Sequence, residues 1–549
     1  RRPQIALQAR ASDRRRLVAA LQRRGDPLAD EHALAARAAE DAARVARGCG
    51  EYPLLSSGDI NLYSLFVERA SMLVKPDGVV GLLTPSGIAA DKGAAPFFRS
   101  IAASGRLAAL YDFENRRKLF PDVDSRFKFC VLVFGGATRR FGAARCAFFL
   151  HEAQQLQPPL LADDADPRVR LLATRVIELG SDDFAAVNPN TGTAPIFRNA
   201  LDAELTIRIY REHPVLVRRA CRDMHDARTG LATSERLPDE RLYAVRYSTM
   251  FHMTNDSGVF RNRAELEAGG WYPAAAGRWK NAHAQMLPLY VGRMIQHYDH
   301  RAAHVTTNEE NLHHVSLSGQ TTDAEKENPA FAPSPQYWVS AAEPELVANT
   351  GWTIGLRSIA RPTDVRTIIA AIIPGPAAGN SLPLLSLRPP EQSAWLVANM
   401  SSHVYDYLAR QKVQSSNINW FIVEQLPLIA PASYDEPLGT GTVGSFVREQ
   451  VLRLSYTAHD LAPFARDLDF DGAPFAWDAE DRRHRIARLD ALYFGLYGVS
   501  RDDAAYVLDT FPIVREADER AFGRYRTREL VLGYMAALAA GDTETVLAL

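Results

Sequence analysis

Residues 61–88, NLYSLFVERASMLVKPDGVVGLLTPSGI, constrain the fold more than any other stretch. Leu62, Leu65, Phe66 and Leu73 recur at helical spacing and give one apolar face. Lys75-Pro76-Asp77-Gly78 reads as a turn, with Gly78 as the residue that tolerates positive φ. VVGLLTP is then a near-continuous apolar run, the pattern of a strand buried on both faces. A helix around FFRSIAAS and two more strands, LAALYDF and FKFCVLVFGG, continue the alternation. Helix and strand alternating in units this short imply an α/β chain with a mostly parallel sheet covered by helices.

The flanking segments read differently. Residues 1–50 are rich in Ala and Arg at helical spacing, with Gly48 and Gly50 to stop the second helix, and are expected to form a charged helical insertion. From about 140 to 235 the pattern loosens: VNPNTGTAPIF is turn-rich, and DAELTIRIYREHPVLV reads as a helix and a strand. Residues 236–435 mix short strands, aromatic residues and loops, and 436–549 read as helices. No internal repeat is visible. The resulting division is 1–50, 51–140, 141–235 as connector, 236–435 and 436–549. A length of 549 residues accommodates two to four domains.

Charge and cysteine usage bound the function. With a net charge of −2, any nucleic-acid contact must come from local arginine clusters. Cys49, Cys130, Cys146 and Cys221 form no CxxC pair, which points to a reduced, cytoplasmic protein without a disulfide framework or zinc site. The N-terminal RRPQIALQAR is charged with no apolar stretch after it, unlike a signal peptide. No segment approaches the ~20 apolar residues of a membrane span. The first residue is Arg rather than Met, from which a preceding segment is expected.

Several motifs carry competing readings. GTGTVG, with Gly439, Gly441 and Gly444, fits G-x-G-x-x-G, but the proline-bearing PASYDEPL precedes it instead of a buried strand, so a flexible connector is preferred. His297 and His300 in HYDHR could share a metal on a helix, yet no third ligand is apparent; core or DNA-facing histidines are preferred and no metal is expected. GLRSIARPTDVRT places Arg357, Arg361 and Arg366 beside Thr363 and Thr367, a solvated edge or a set of guanidinium forks for phosphates and guanine edges. RQKVQSSNINW adds Arg410, Lys412, Gln414, Ser416 and Asn417, an amide-rich run suited to a DNA groove. Together these tilt the reading toward nucleic acid. Phe120, in KLFPDVDSRFKFCVLVF, lies in a loop between strands, where it either tucks into the core or faces a ligand.

In combination these blocks resemble a known family. NLYSLFVERASMLVKPDGVVGLLTPSGI followed by LYDFENRRKLFPDVDSRFKFCVLVFGG looks like the second half of a gamma-class N6-adenine DNA methyltransferase. NPNTGTAPIFRNALDAELTIRIY, LPLYVGRMIQHYDHR, RSIARPTDVRT, INWFIVEQLPL and LYGVSRDDAAYVLDTFPIV are similar to later blocks of type IIG restriction-modification methylases and of the BREX and DISARM phage-defence methyltransferases. The fold the resemblance implies is the C-terminal half of a Rossmann-like class I methyltransferase sheet, over 51–140. A mixed α+β target-recognition domain over 236–435 and a helical C-terminal region would follow. It implies S-adenosylmethionine as cofactor and double-stranded DNA as partner. Phe66 matches the position that packs against the cofactor's adenine, Phe120 the aromatic that stacks on a flipped target adenine, and Thr84 and Pro85 the strand end walling the pocket. Arg357, Arg361, Arg366, Arg410, Lys412, Ser416 and Asn417 become the candidate DNA contacts.

The departures are equally informative. Two elements of that family are absent from the sequence: a glycine-rich cofactor loop and an Asn-Pro-Pro-aromatic motif. The motif exists because the adenine amino group is conjugated and weakly nucleophilic; an Asn side chain and a proline carbonyl accept its hydrogens and favour a reactive nitrogen. The expectation is therefore the C-terminal part of a longer methyltransferase, inactive alone and completed by an N-terminal part of the same polypeptide. Other restriction or defence subunits are possible partners. A non-catalytic DNA-binding specificity subunit is the first rival, and an α/β transferase acting on RNA or protein is the second. No PD…ExK nuclease motif is apparent.

Overall fold

The computed structural model describes the chain except residues 1–4, 6–10, 57–59, 126, 220, 226–231, 308–315, 344–350, 362–363, 376, 414–416 and 548–549, and except the side chains of 11–15, 221–225, 232–236, 307, 316 and 547. It divides into two compact units: residues 1–185 with 191–194, and residues 186–190 with 195–549.

The first unit begins with α1 (Ala11–Arg23) and α2 (Pro27–Gly48). Asp26 starts α2 by accepting from the Leu28 amide, with Pro27 already locked in helical φ, and the helix ends at Gly48. Ala29 is the one buried residue of α2, so this helix is a solvated element. Helix α3 (Leu62–Leu73) buries Ser64, Leu65, Val67 and Glu68, and the Glu68 carboxylate accepts from the Leu54 and Leu55 amides at 2.9 Å each. Leu62, Phe66 and Leu73 are instead exposed, so the apolar face expected to face the core is split between core and surface. Gly78 does not adopt positive φ. A Cβ there would lie 3.0 Å from a Val74 methyl and 3.2 Å from the Lys75 carbonyl, so the turn needs glycine for space.

β1 (Val79–Pro85) is followed by α4 (Gly87–Ala90), α5 (Ala95–Ala103), β2 (Leu107–Glu114), β3 (Lys128–Gly135), β4 (Ala144–Leu150) and β5 (Ile177–Leu179). The strands form one sheet in the order β1-β3-β2-β4-β5. The sheet is not mostly parallel. β3 runs antiparallel to both β1 and β2, β5 antiparallel to β4, and only β2 and β4 pair in parallel. β1 and β2 are joined by a helical crossover and point the same way; β3 returns directly from β2 through a loop, and a direct return yields an antiparallel neighbour. The sheet also continues past residue 140 through β4 and β5. β1 is the outer strand, and it is not buried on both faces: Val79 and Leu83 are 52% and 57% exposed while Thr84 is buried.

The second unit contains two antiparallel four-stranded sheets and a helical layer. β6 (Arg246–Ser248), β7 (Tyr272–Pro273), β8 (Trp279–Lys280), β9 (Gln285–Pro288), β10 (Trp338–Ser340), β11 (Trp352–Leu356), β12 (Ala370–Pro374) and β13 (Leu384–Ser386) assort as β6-β13-β11-β12 and β7-β8-β9-β10. Helix α6 (Ala200–Glu212) precedes these strands, and α7 (Pro390–Ser401), α8 (His403–Arg410), α9 (Val443–Ser455) and α10 (Ala479–Leu496) follow them. α7 and α8 are almost wholly buried, which places them inside this unit's core. The glycine motif at 439–444 forms the short hairpin of Pro437–Leu438 with Gly441–Thr442, and Thr442 then caps α9. Among the described residues no helix is long and apolar enough to cross a membrane, and no cluster of three His, Cys, Asp or Glu is arranged to hold a metal.

Candidate functional site

The carboxyl end of β1 opens one side of the first unit's sheet. Pro85 pairs in register with Phe129, and Phe129 with Phe113, giving a row across β1, β3 and β2. The Phe113 and Phe129 rings stack at 5.3 Å with planes 6° apart. Phe120 meets Phe129 edge-on at 4.9 Å. Phe120 is 38% exposed, so it is not buried in packed protein. Asn115, buried at the end of β2, shapes this loop. Its amide donates to the Phe120 and Val123 carbonyls at 2.9 Å each, and its oxygen accepts from the Phe120 amide at 3.0 Å. Lys118 turns the chain with φ of +54°. Leu119, Val123 and Phe127 share the loop's exposed apolar character.

The other face of the same strand ends is polar and buried. Thr84, Cys130 and Asp112 stand in register across β1, β3 and β2. The Ser86 hydroxyl donates to Asp112, tying the turn after Pro85 to β2. Burial pushes the Asp112 carboxyl above its usual range against the pull of Lys128, and Asp112 in turn adds to the burial that pushes the Cys130 thiol up. Lys128 sits 3.7 Å from both Asp112 and Glu114, an ion-pair distance too long for a hydrogen bond. Burial raises Glu114 too, but His151, Lys128 and Arg116 outweigh it and hold that carboxyl low. Among the described residues, Thr84 Oγ1 and one Asp112 oxygen have no hydrogen-bond partner. Phe66, on α3, is 72% exposed.

In the second unit the expected DNA-facing cations divide. Arg366, Arg410 and Lys412 are buried and correct the expectation of groove contacts. Arg366 Nε and Arg410 Nε donate to the two oxygens of Asp406 at 2.8 and 3.1 Å, and Asp406 also accepts from the Thr367 and Ile368 amides. Arg410 further donates to the Asp364 and Val365 carbonyls and lies 4.0 Å from the Phe511 ring. Lys412 Nζ donates to the Gln425 carbonyl at 2.8 Å, and burial depresses its pKa far below the usual lysine range. All three cations have hydrogen-bond partners inside the fold. Arg361 is exposed, Arg357 is half-buried and Asn417 exposed, while Ser416 and Gln414 lie outside the described residues. The two histidines share no helix: Gln296 and Asp299 close a turn with Tyr298 at φ +56°. His297 Nε2 points at the Ile368 carbonyl and His300 Nε2 at Asp460, at 2.8 and 3.0 Å.

Arg357 and Asn417 line one cleft together with Tyr247, Arg293, Asn380 and Asn419. These come from separate chain segments, so spacing along the sequence carried no sign of their convergence. Asn115 was likewise overlooked; its one sequence signal was an amide directly after an apolar strand, in DFEN.

No protein-family model and no curated protein matches this chain. Among solved structures it is similar to the type IIL restriction-modification enzyme MmeI in complex with DNA, at 9% identity and a TM-score of 0.36 over 84% of this chain and 53% of that one. It is also similar to the type IIG restriction endonuclease BpuSI, at 10% identity and a TM-score of 0.24 over 82% of this chain and 51% of that one. The chain thus spans about half the length of each.

Proposed function

We propose that this chain is part of a site-specific adenine-N6 DNA methyltransferase of a restriction-modification or phage-defence system, using S-adenosylmethionine. The reading is carried by Phe120, a partly exposed ring packed edge-on against Phe129, which pairs with Pro85, in a loop that the Asn115 amide clamps. An adenine drawn out of a duplex loses its stacked neighbours and needs such a face in their place. The loop is anchored before any ligand arrives, so less ordering cost falls on the binding step.

The residues present fit the cofactor. The Phe66 ring is exposed on α3 with Leu62 and Leu73, an apolar surface able to take the cofactor's adenine, and Thr84 brings an unpartnered buried hydroxyl to the strand end. S-adenosylmethionine would supply the methyl group. In this reading Phe120 stacks on the base, Pro85 and Thr84 wall the pocket, and the Ser86–Asp112 contact holds the turn that shapes it. The open outer side of β1, with Val79 and Leu83 exposed, suits a further strand that would bring the missing amino-group acceptors.

The test is methyl transfer. With radiolabelled S-adenosylmethionine and mixed duplex DNA, this chain alone should incorporate no label, because it has no Asn-Pro-Pro motif. The full gene product should leave N6-methyladenine, and Phe120→Ala in it should lose transfer by roughly 5- to 150-fold, given ~1–3 kcal/mol for base–aromatic stacking. Incorporation by this chain alone, or a full product that methylates no adenine, overturns the proposal. The absence of the acceptor motif from this sequence favours one second reading, a DNA-binding specificity subunit; an upstream reading frame without an in-frame Asn-Pro-Pro segment would support it.

A further inference from the structure

Residues 1–25 hold eight arginines and a single acid, Asp13, a net charge of +7. The whole chain carries −2, so the remainder carries −9. Charge of one sign gathered into one segment of a near-neutral chain points to a polyanionic partner. Helix α1 carries Arg14, Arg15, Arg16 and Arg23, and Arg24 follows it. Arg16, Arg23 and Arg24 are exposed, and none of the three makes an ion pair among the described residues; Arg23 Nε reaches the Ala19 carbonyl at 3.4 Å. The adjoining helix is built differently. In α2, Asp30, Glu31, Glu40 and Asp41 accompany Arg37, Arg44 and Arg47, and Arg44 pairs with Asp41 at 2.8 Å.

The two faces of α1 are distinct. Leu17, Val18, Ala20 and Leu21 are half-buried, and α1 packs alongside α2. Arg16 and Arg23 are seven residues apart, close to two full turns, so they share one face about 10 Å apart. Arg23 lies in the last turn, where the helix dipole favours a cation without help from a carboxylate. Gly25, at φ +64°, then turns the chain into α2. A basic helix also suits an anionic membrane surface. α1, however, has no Trp or Phe, and its apolar side is already half covered by the fold, which leaves little to bury among lipids.

We propose that α1 is a sequence-independent clamp on the phosphate backbone of duplex DNA, with Arg16, Arg23 and Arg24 as its contacts, an assignment that rests on the DNA-directed reading of the chain. Each guanidinium fork matches phosphate oxygens. Phosphates recur about every 3.4 Å of axis along one strand, so a spacing of about 10 Å takes up three steps. Phosphates are alike in every sequence, so α1 adds affinity and orientation but no preference among sequences.

Fluorescence anisotropy of the full chain over a salt series, with two duplexes of unrelated sequence, tests this. Arg16→Gln and Arg23→Gln should each lower the slope of log affinity against log salt by about 1. Adding Arg24→Gln to both should lower it by about two to three, equally on the two duplexes. Glutamine has nearly the helix propensity of arginine, and circular dichroism should show unchanged helix content. Arg16→Lys, Arg23→Lys and Arg24→Lys together should keep the wild-type slope. Arg44→Gln, which removes the same charge where Asp41 already offsets it, should leave the slope unchanged. Duplex binding whose slope the triple glutamine variant leaves at the wild-type value refutes the clamp and leaves the DNA-directed reading standing. A chain that binds no duplex refutes both. Binding to phosphatidylserine vesicles, lost in the triple variant while duplex binding is kept, refutes the clamp and assigns α1 to a membrane surface.

Discussion

Replacing Asp406 by asparagine removes one negative charge from the interior of the second unit and leaves Arg366 and Arg410 facing a neutral amide. Asp406 is fully buried and takes hydrogen bonds from both guanidinium groups and from the Thr367 and Ile368 amides. Breaking such a buried pair costs about 3–5 kcal/mol, most of it the uncompensated charge left behind. The unit holds about 360 residues, and an unfolding entropy of about 2.1 cal/mol/K per residue makes that loss about 4–7 °C in Tm. Differential scanning calorimetry measures it. The sign of the pH dependence follows from the same contacts. Burial pushes the Asp406 carboxyl up, but Arg366 and Arg410 outweigh it and hold the folded pKa below the ordinary value. The stabilisation is therefore complete above the unfolded pKa of about 3.9 and is lost as pH falls through the folded value. Wild type and Asp406→Asn should differ fully at neutral pH and begin to converge as pH falls below about 4, through the depressed folded value. A Tm within about 1 °C of wild type at neutral pH refutes the assignment of Arg366 and Arg410 to the core. Selective loss of DNA affinity with an unchanged Tm would return these arginines to the groove.

Three further outcomes follow from the same geometry. His297 is buried with its pKa pushed down to about 3, so it stays neutral when the unfolded chain binds a proton. Between about pH 6.5 and 3 its contribution to stability should fall by about 1.4 kcal/mol per pH unit, and His297→Gln should remove that acid slope in denaturant titrations. Asn115→Ala deletes three hydrogen bonds to the loop that carries Phe120, at about 1 kcal/mol each. Limited proteolysis should then cut within 116–127 many times faster; an unchanged digestion rate would show that the amide clamp does not order the loop. Phe120→Ala, at a ring already 38% exposed, should cost the isolated chain less than about 1.5 kcal/mol of stability. A larger loss in urea unfolding would make Phe120 a core residue and remove it from the pocket.

Local order was legible in the residues alone. Helical spacing over 62–73, the apolar run ending at Pro85 and the glycines after 47 marked α3, β1 and the end of α2, because each signal depends on contacts within one or two turns. The position of Phe120 in a loop between two strands was legible in the same way. Strand direction was not. Alternating helices and strands suggested a parallel sheet, but β3 enters between β1 and β2 with no crossover, a choice made by pairing across the sheet.

Charge fate was the least legible. Arg357 and Arg366 stand nine residues apart in one basic motif and look alike in sequence. Arg366 finds Asp406 in the core, whereas Arg357 opens into a cleft with Arg293. A chain segment records its own conformational preferences, but whether a charge is neutralised depends on a partner brought from a distant segment. The sequence by itself thus determined the elements and the strand end that carries Pro85. The tertiary structure alone decided which apolar residues stay uncovered beside that end and which arginines are paired inside the core.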